Sequence, residues 1–324
     1  MNELIHILFF NMFPLIGLAV AGYWLDSRFK IDIKTLTTIV FYVVLPGLIF
    51  LNVYEMPFEM GSLAILAAGI VLLGLHALLA QLIAHWRGYE PGQRESFRVM
   101  TMFTNCGNIG LSMITLIYSQ PPFINGYEKP YYTTAMAAIT ILLIMTNVLL
   151  NTVGLYLSGR GRLTPRDTLK MIRHMPTVYV VILAVAVKYF AVPVHTWFVW
   201  QIVERVAVTL PLFAMLILGI QLHRTTIYWF NPDVWLAVLT RLVIGPILAL
   251  GVILAYGGFS PIASQVLLIF SAVPCAVNSV LFAVEFKNYP GYTTQTVMSS
   301  FIVGSVTLTA VIYLARILFP VPMW

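Results

Sequence analysis

The segment Thr101–Ser119, TMFTNCGNIGLSMITLIYS, sets Asn105, Gly107, Asn108, Gly110 and Ser112 inside an apolar stretch of membrane-helix character. An Asn in hydrocarbon is costly unless it finds a partner, and each Gly weakens a helix by roughly 1 kcal/mol. Two readings of the pattern are open. In one, small residues let backbones approach and the Asn side chains hold neighbouring helices together. In the other, the helix is broken near the bilayer midplane, and its freed amides and carbonyls line a binding site. A second apolar segment, Ile262–Phe286, carries Pro274, Ala276 and Asn278 in its middle. Proline there removes a backbone hydrogen bond and collides with the preceding turn. Two interrupted apolar segments in corresponding halves of a chain point to the ligand site of a carrier. The chemistry on offer is hydrogen-bond donation to a small ligand.

The elements that would hold such a site are membrane spans. Of 324 residues, 60% are hydrophobic and 9% charged, with a mean hydropathy of +0.90, which indicates an all-α polytopic membrane protein. Apolar runs divided at charged or Pro/Gly/Asn-rich punctuation give ten spans, about 4–25, 35–54, 61–84, 98–118, 132–157, 176–192, 199–222, 234–256, 262–286 and 292–318. Met1-Asn-Glu-Leu lacks a basic region, so the first run reads as a retained helix and not a cleaved signal peptide. The two cysteines, Cys106 and Cys275, lie one in each interrupted segment and read as small buried hydrophobes.

The net charge of +6 comes from loops, so it bears on topology and not on nucleic acid. Alternate loops hold 13 of the 18 Lys and Arg, among them Arg28, Lys34, Arg87, Arg98, Arg166, Arg224 and Lys287. The positive-inside rule puts those loops in the cytoplasm and both termini outside a cell membrane. The longest basic loop, 158–175, separates residues 1–157 from 176–324, with five spans on each side. An odd number of spans per half gives the halves opposite orientations. They also echo each other: Pro14 matches Pro176, Pro46 matches Pro211 at a nearly equal offset, and the fourth and ninth spans are the interrupted pair. The expected fold is therefore two inverted five-helix repeats.

These residues resemble the auxin efflux carrier family, which includes plant auxin carriers and bacterial malonate-carrier-like proteins and shares its fold with bile-acid sodium symporters. The family's fourth helix reads Asn-x-Gly-aromatic-x-Gly-x-Pro. Asn105, Gly107 and Gly110 keep that pattern, while Asn108 stands for the aromatic residue and Ser112 for the proline. Pro274 with Asn278, then Ala283-Val284-Glu285-Phe286, is similar to the ninth-helix signature, and Leu45-Pro46-Gly47 and Leu210-Pro211-Leu212 are similar to those of spans two and seven. The resemblance implies that broken helices four and nine cross near the midplane. It also implies a scaffold of spans 1, 2, 6 and 7, a transport domain of spans 3–5 and 8–10, a homodimer formed through the scaffold, and elevator-like movement. With this topology the second halves of spans four and nine start at the crossing, from about Asn108 and Ala276. Each start carries roughly half a positive charge and unpaired N–H groups, which favours a carboxylate. Asn105 and Asn278 then either donate to the ligand or bond to each other.

Other polar residues in the spans have alternatives of their own. Arg241 in span eight contacts a substrate anion, snorkels to the cytoplasmic interface or forms an internal pair. His76 in span three carries a coupling proton or is a neutral, hydrogen-bonded core residue. Glu204 and Arg205 fall at the outer interface, and Asn147 with Asn151 forms a polar stripe facing protein. There is no H-E-x-x-H, G-x-S-x-G or P-loop motif, so an enzyme is not expected. No cofactor is expected either, and a coupling ion, proton or sodium, is left open. The function read from the sequence is a secondary transporter of a small organic anion. The alternative is a receptor that binds such an anion at the same crossover without moving it.

Overall fold

The computed structural model describes residues 13–55, 60–119, 123, 130–160, 176–190, 192–226 and 230–321. The chain ends, most of the 158–175 loop and the side chains of Asn108 and Ser112 lie outside that description. Among the described residues the structure is helices and turns, with no strand. In chain order they are α1 (Phe13–Phe29), α2 (Ile33–Ile39, Val40–Val44 and Leu45–Glu55, continuous), α3 (Met60–Trp86), α4 (Pro91–Met102), α5 (Cys106–Gly110 and Leu111–Tyr118), α6 (Tyr132–Arg160) and α7 (Pro176–Tyr189). Then follow α8 (Phe198–His223), α9 (Pro232–Tyr256), α10 (Pro261–Ser271), α11 (Asn278–Glu285) and α12 (Pro290–Leu318). Six of these, α2, α3, α6, α8, α9 and α12, are long and apolar enough to cross a membrane. The fourth predicted span is divided between α4 and α5, and the ninth between α10 and α11.

Local sequence explains the helix boundaries. Asn231 caps α9 by accepting from the amides of Asp233 (3.0 Å) and Val234 (3.4 Å), and Pro232 follows at the first helical position. Ser260 and Pro261 repeat the device on α10, where Ser260 Oγ accepts from the Ala263 amide at 3.3 Å. Inside α2 and α9 the turn widens to a π-helical form at Val40–Val44 and Thr240–Ile244, each two residues ahead of a proline, Pro46 or Pro246. Proline has no N–H to donate and its ring crowds the carbonyl four residues back, so the preceding turn relaxes to the longer hydrogen bond.

The helices pack as two groups. Helices α1, α2, α7 and α8 make their largest contacts with one another, while α3 to α6 and α9 to α12 form the second group. Contact between α1 and α8 is backbone to backbone, because Gly22 lies on the Leu216 main chain and Gly219 on the Ala19 carbonyl. A Cβ on Gly219 would also come within 2.8 Å of the Tyr23 amide. Gly219→Ala is therefore expected to force the helices apart and cost about 2–3 kcal/mol, read as a thermal midpoint about 5 °C or more below wild type.

Loop contacts identify one end of both groups. There Asp26 accepts from Arg224 Nε (3.0 Å) and His223 Nδ1 (2.8 Å), and Asp233 accepts from Arg87 (2.8 Å), Tyr89 (2.6 Å) and Gln93 (2.9 Å). Asp26 lies just past the predicted first span. Hydrogen bonds from Arg224, then His223, pull its acid down to about 2 against the opposing effect of burial. The group is ionised well below neutral pH, so the stability that this tie between α1 and α8 contributes is complete above about 3.8 and is lost as the pH falls from there through about 2. At the far end Tyr54 donates to the Val192 carbonyl at 3.0 Å, and Lys188 Nζ donates to the Tyr54 carbonyl at 2.7 Å.

Candidate functional site

The unwound segments between α4 and α5 and between α10 and α11 lie antiparallel and pair as a single bridge, Thr104 against Cys275. The Asn105 amide donates to the Pro274 carbonyl at 2.8 Å, and the Ala276 amide donates to the Phe103 carbonyl at 3.0 Å. The Cys275 amide, facing away, donates to Ser300 Oγ of α12 at 3.2 Å. Main chain thus ties the crossing together, and no hydrogen bond joins Asn105 to Asn278. Gly304 of α12 makes room for this arrangement, since a Cβ there would stand 2.5 Å from the Pro274 ring.

Both helix starts fall within two residues of the expected ones. Helix α5 begins at Cys106, not about Asn108, and α11 at Asn278, not Ala276, whose amide is already bonded across the bridge. The first-turn amides left without an intrahelical carbonyl are those around Gly107 and at Val277 and Asn278.

A cavity of about 550 Å³ opens beside these two starts. Thr104, Asn105, Cys106 and Gly107 form one wall and Ala276, Val277 and Asn278 the next. Leu48 and Leu51 of α2, Leu143, Asn147 and Leu150 of α6, and the stretch of α8 from Glu204 to Pro211 complete it. Four of the predicted residues, Asn105, Gly107, Ala276 and Asn278, therefore line one space. Gly110 and Pro274 do not. Gly110 is buried, and a Cβ on it would contact Cys106 Sγ (3.4 Å) and Val273 (3.5 Å), so its role is close packing.

Two buried polar atoms beside the cavity have no partner, Asn105 Nδ2 and Thr104 Oγ1. Asn105 is 7% exposed, and its amide donor is buried without a protein partner. A buried polar group left in this state costs about 1–3 kcal/mol, which a ligand acceptor would recover. Asn278 is half-buried, and its side chain has no hydrogen-bond partner among the described residues. On the basic-loop side of the crossing Phe41 of α2 packs against Phe282 of α11, with ring centroids 5.7 Å apart and exposures of 1% and 0%. Beyond them Thr37 Oγ1 donates to Glu285 Oε2 at 3.3 Å. Toward the far end lies Glu204, exposed, its Oε1 accepting from Trp200 Nε1 at 2.6 Å.

Glu204, expected at the outer interface, lines the cavity, and so does Asn147 of the protein-facing polar stripe. The available signal was the Val208-Thr209-Leu210-Pro211 interruption of the seventh span, where α8 breaks its hydrogen bonding and brings Glu204 to the cavity.

Arg241 and His76 do not line the cavity. Arg241 is 1% exposed, so it does not snorkel. Its guanidinium donates to the carbonyls of Thr101 (3.2 Å), Met102 (3.5 Å), Phe270 (3.5 Å), Ser271 (3.1 Å) and Val273 (3.2 Å), the C-terminal ends of α4 and α10. Arg241 Nη1 also lies 3.4 Å from His76 Nε2, while His76 Nδ1 is 2.8 Å from the Leu72 carbonyl. Guanidinium has only donors. His76 must therefore accept through Nε2 and carry its proton on Nδ1, which is the neutral, hydrogen-bonded alternative and not a charged ring. Gly245 permits the approach, as a Cβ there would stand 3.1 Å from His76 Nε2. Compared with protein-family models and with curated proteins, the chain matches none.

Proposed function

We propose that the protein is a secondary transporter of a small organic anion, of the kind that its resemblance to the auxin efflux carrier family implies. The observation that carries this reading is the cavity at the crossing, where the starts of α5 and α11 converge beside the unpaired amide donor of Asn105. Two half-helix N-termini present about one positive charge between them, together with free N–H groups, and a carboxylate satisfies both. The space is large enough for a di- or monocarboxylic acid with an apolar body resting on Leu48, Leu51, Leu143 and Leu150.

In this reading α1 to α12 make ten spans in two inverted repeats, with α4/α5 and α10/α11 as the broken pair. Helices α1, α2, α7 and α8 are the scaffold, through which two copies associate, and the second group is the moving domain. With the basic loops in the cytoplasm of a cell membrane and both termini outside, the buried pair of Phe41 and Phe282 lies on the cytoplasmic side and acts in this reading as the inner seal. The cavity then faces outward, and transport requires that seal to slide. Counterflow in proteoliposomes tests the function. Malonate and a panel of other carboxylates, loaded unlabelled inside, should drive saturable uptake of the labelled compound. Saturable binding with no exchange would replace the carrier by a receptor.

Glu204 supplies a sign test of the anion reading. Its carboxylate at the open end repels an incoming anion, so Glu204→Gln should raise apparent affinity about 2- to 5-fold at low ionic strength, and less at high salt. A panel acid bound more weakly by the variant would indicate a ligand with a cationic group.

A further inference from the structure

Four half-helix ends meet at the crossing, and only two of them favour an anion. The C-terminal ends of α4 and α10 arrive at the same place with their unsatisfied carbonyls, each equivalent to roughly half a negative charge. Unopposed, these two ends would cancel the two N-termini, and the crossing would have no net preference for a carboxylate. Arg241 stands at those carbonyl ends: five main-chain oxygens from the two chain segments lie within 3.5 Å of its guanidinium nitrogens. Among the described residues no carboxylate pairs with it. Its cationic charge is balanced by main-chain dipoles, with the neutral His76 completing the shell.

We infer that Arg241 is a resident cation that neutralises the carbonyl ends of both broken helices and leaves their N-terminal counterparts unopposed at the cavity. This inference deepens the anion-carrier reading and rests on it for its functional consequence. Unwound carbonyls at half-helix C-termini are the groups that coordinate Na⁺ in carriers driven by it. Here a tethered guanidinium fills that position, so the crossing takes no alkali cation from solution. Arg241 is a positioning residue, because it touches neither the cavity nor what binds there. Its location in the widened turn Thr240–Ile244 lets one side chain reach both α4 and α10.

Chemical rescue of purified protein tests the inference in the absence of any carboxylate. Arg241→Ala should melt roughly 10 °C below wild type, from loss of a buried, fully bonded charge. Millimolar ethylguanidinium chloride should restore at least half of that shift saturably, with choline chloride at equal ionic strength restoring none. The wild-type midpoint should be the same in sodium chloride and choline chloride. Arg241→Lys, which keeps the charge, should melt above Arg241→Met, which keeps only the volume, and this comparison decides the matter if the alanine variant fails to fold. Ethylguanidinium acting no better than choline, Lys and Met variants of equal stability, or saturable stabilisation of wild type by Na⁺ would each overturn the inference. Because these melts contain no substrate, their failure counts against Arg241 alone, whereas absent counterflow in wild type counts against the carrier.

Discussion

Asn105→Ala and Asn278→Ala are each expected to weaken carboxylate binding roughly 10- to 150-fold while leaving a folded, membrane-inserted protein. The estimate follows from hydrogen bonds to charged groups, worth about 1.5–3 kcal/mol each. Polar contacts inside membrane proteins average only about 0.6 kcal/mol, so folding should suffer less than binding. For Asn105 the structure sharpens that contrast. Its Nδ2 is buried without a partner, and its main-chain amide, which does hold the crossing, survives the substitution. Removing an orphan donor relieves a desolvation penalty, so Asn105→Ala should melt at or above the wild-type temperature even as it loses ligand. Asn278 occupies the first position of α11, with its side chain on the cavity, and its loss should follow the same pattern without the gain in stability. Calorimetric titration with the acid selected by counterflow, set beside thermal melts, measures both quantities. Unchanged affinity in both variants would make the crossing a packing device and remove Asn105 and Asn278 from the site.

Much of this architecture can be read from hydropathy and punctuation. Predicted bounds of 61–84, 199–222, 234–256 and 292–318 fall within about two residues of α3, α8, α9 and α12, because charged or proline-rich turns stop an apolar helix sharply. The two breaks were equally legible, from the Gly and Asn residues of one segment and Pro274 of the other. The start of α4 was not. Its first turns carry Arg94, Glu95 and Arg98, which an apolar window reads as loop, yet Glu95 is 1% exposed and bridged by both arginines at 3.2 and 2.9 Å.

Details of the site depended on contacts between distant parts of the chain. Main-chain pairing of Thr104 with Cys275 leaves no trace in side-chain identity, so the sequence kept open a direct bond between the two asparagines. Arg241 shows the same limit from the other side. A lone arginine in an apolar span suggests a carboxylate, an anion or the interface as its partner, but its partners are carbonyls contributed by α4 and α10. Those carbonyls exist only because both helices stop there, which is a property of the folded crossing and not of any one segment.

Covalent attachment of α2 to α11 is expected to abolish transport, and this is the largest effect that the proposed movement predicts. In the proposal α2 belongs to the scaffold and α11 to the moving domain, and the two meet directly at the basic-loop end through Phe41 on Phe282 and Thr37 on Glu285. In that proposal the cavity opens on that side when α11 slides past α2. Thr37→Cys with Glu285→Cys, in a Cys106→Ala, Cys275→Ala background, places a thiol on each side of the contact. The only native thiols are buried at the crossing, and removing them leaves the engineered pair as the sole target. A short bifunctional thiol reagent should lower counterflow by more than tenfold, and cleavage of a reducible linker should restore it. Carboxylate binding from the open side should survive the cross-link, because the cavity walls at Asn105 and Asn278 are untouched. That split between binding and transport separates a locked carrier from a damaged one. Undiminished counterflow with the pair quantitatively cross-linked would show that α2 and α11 move together, and the division into scaffold and moving domain would have to be drawn elsewhere.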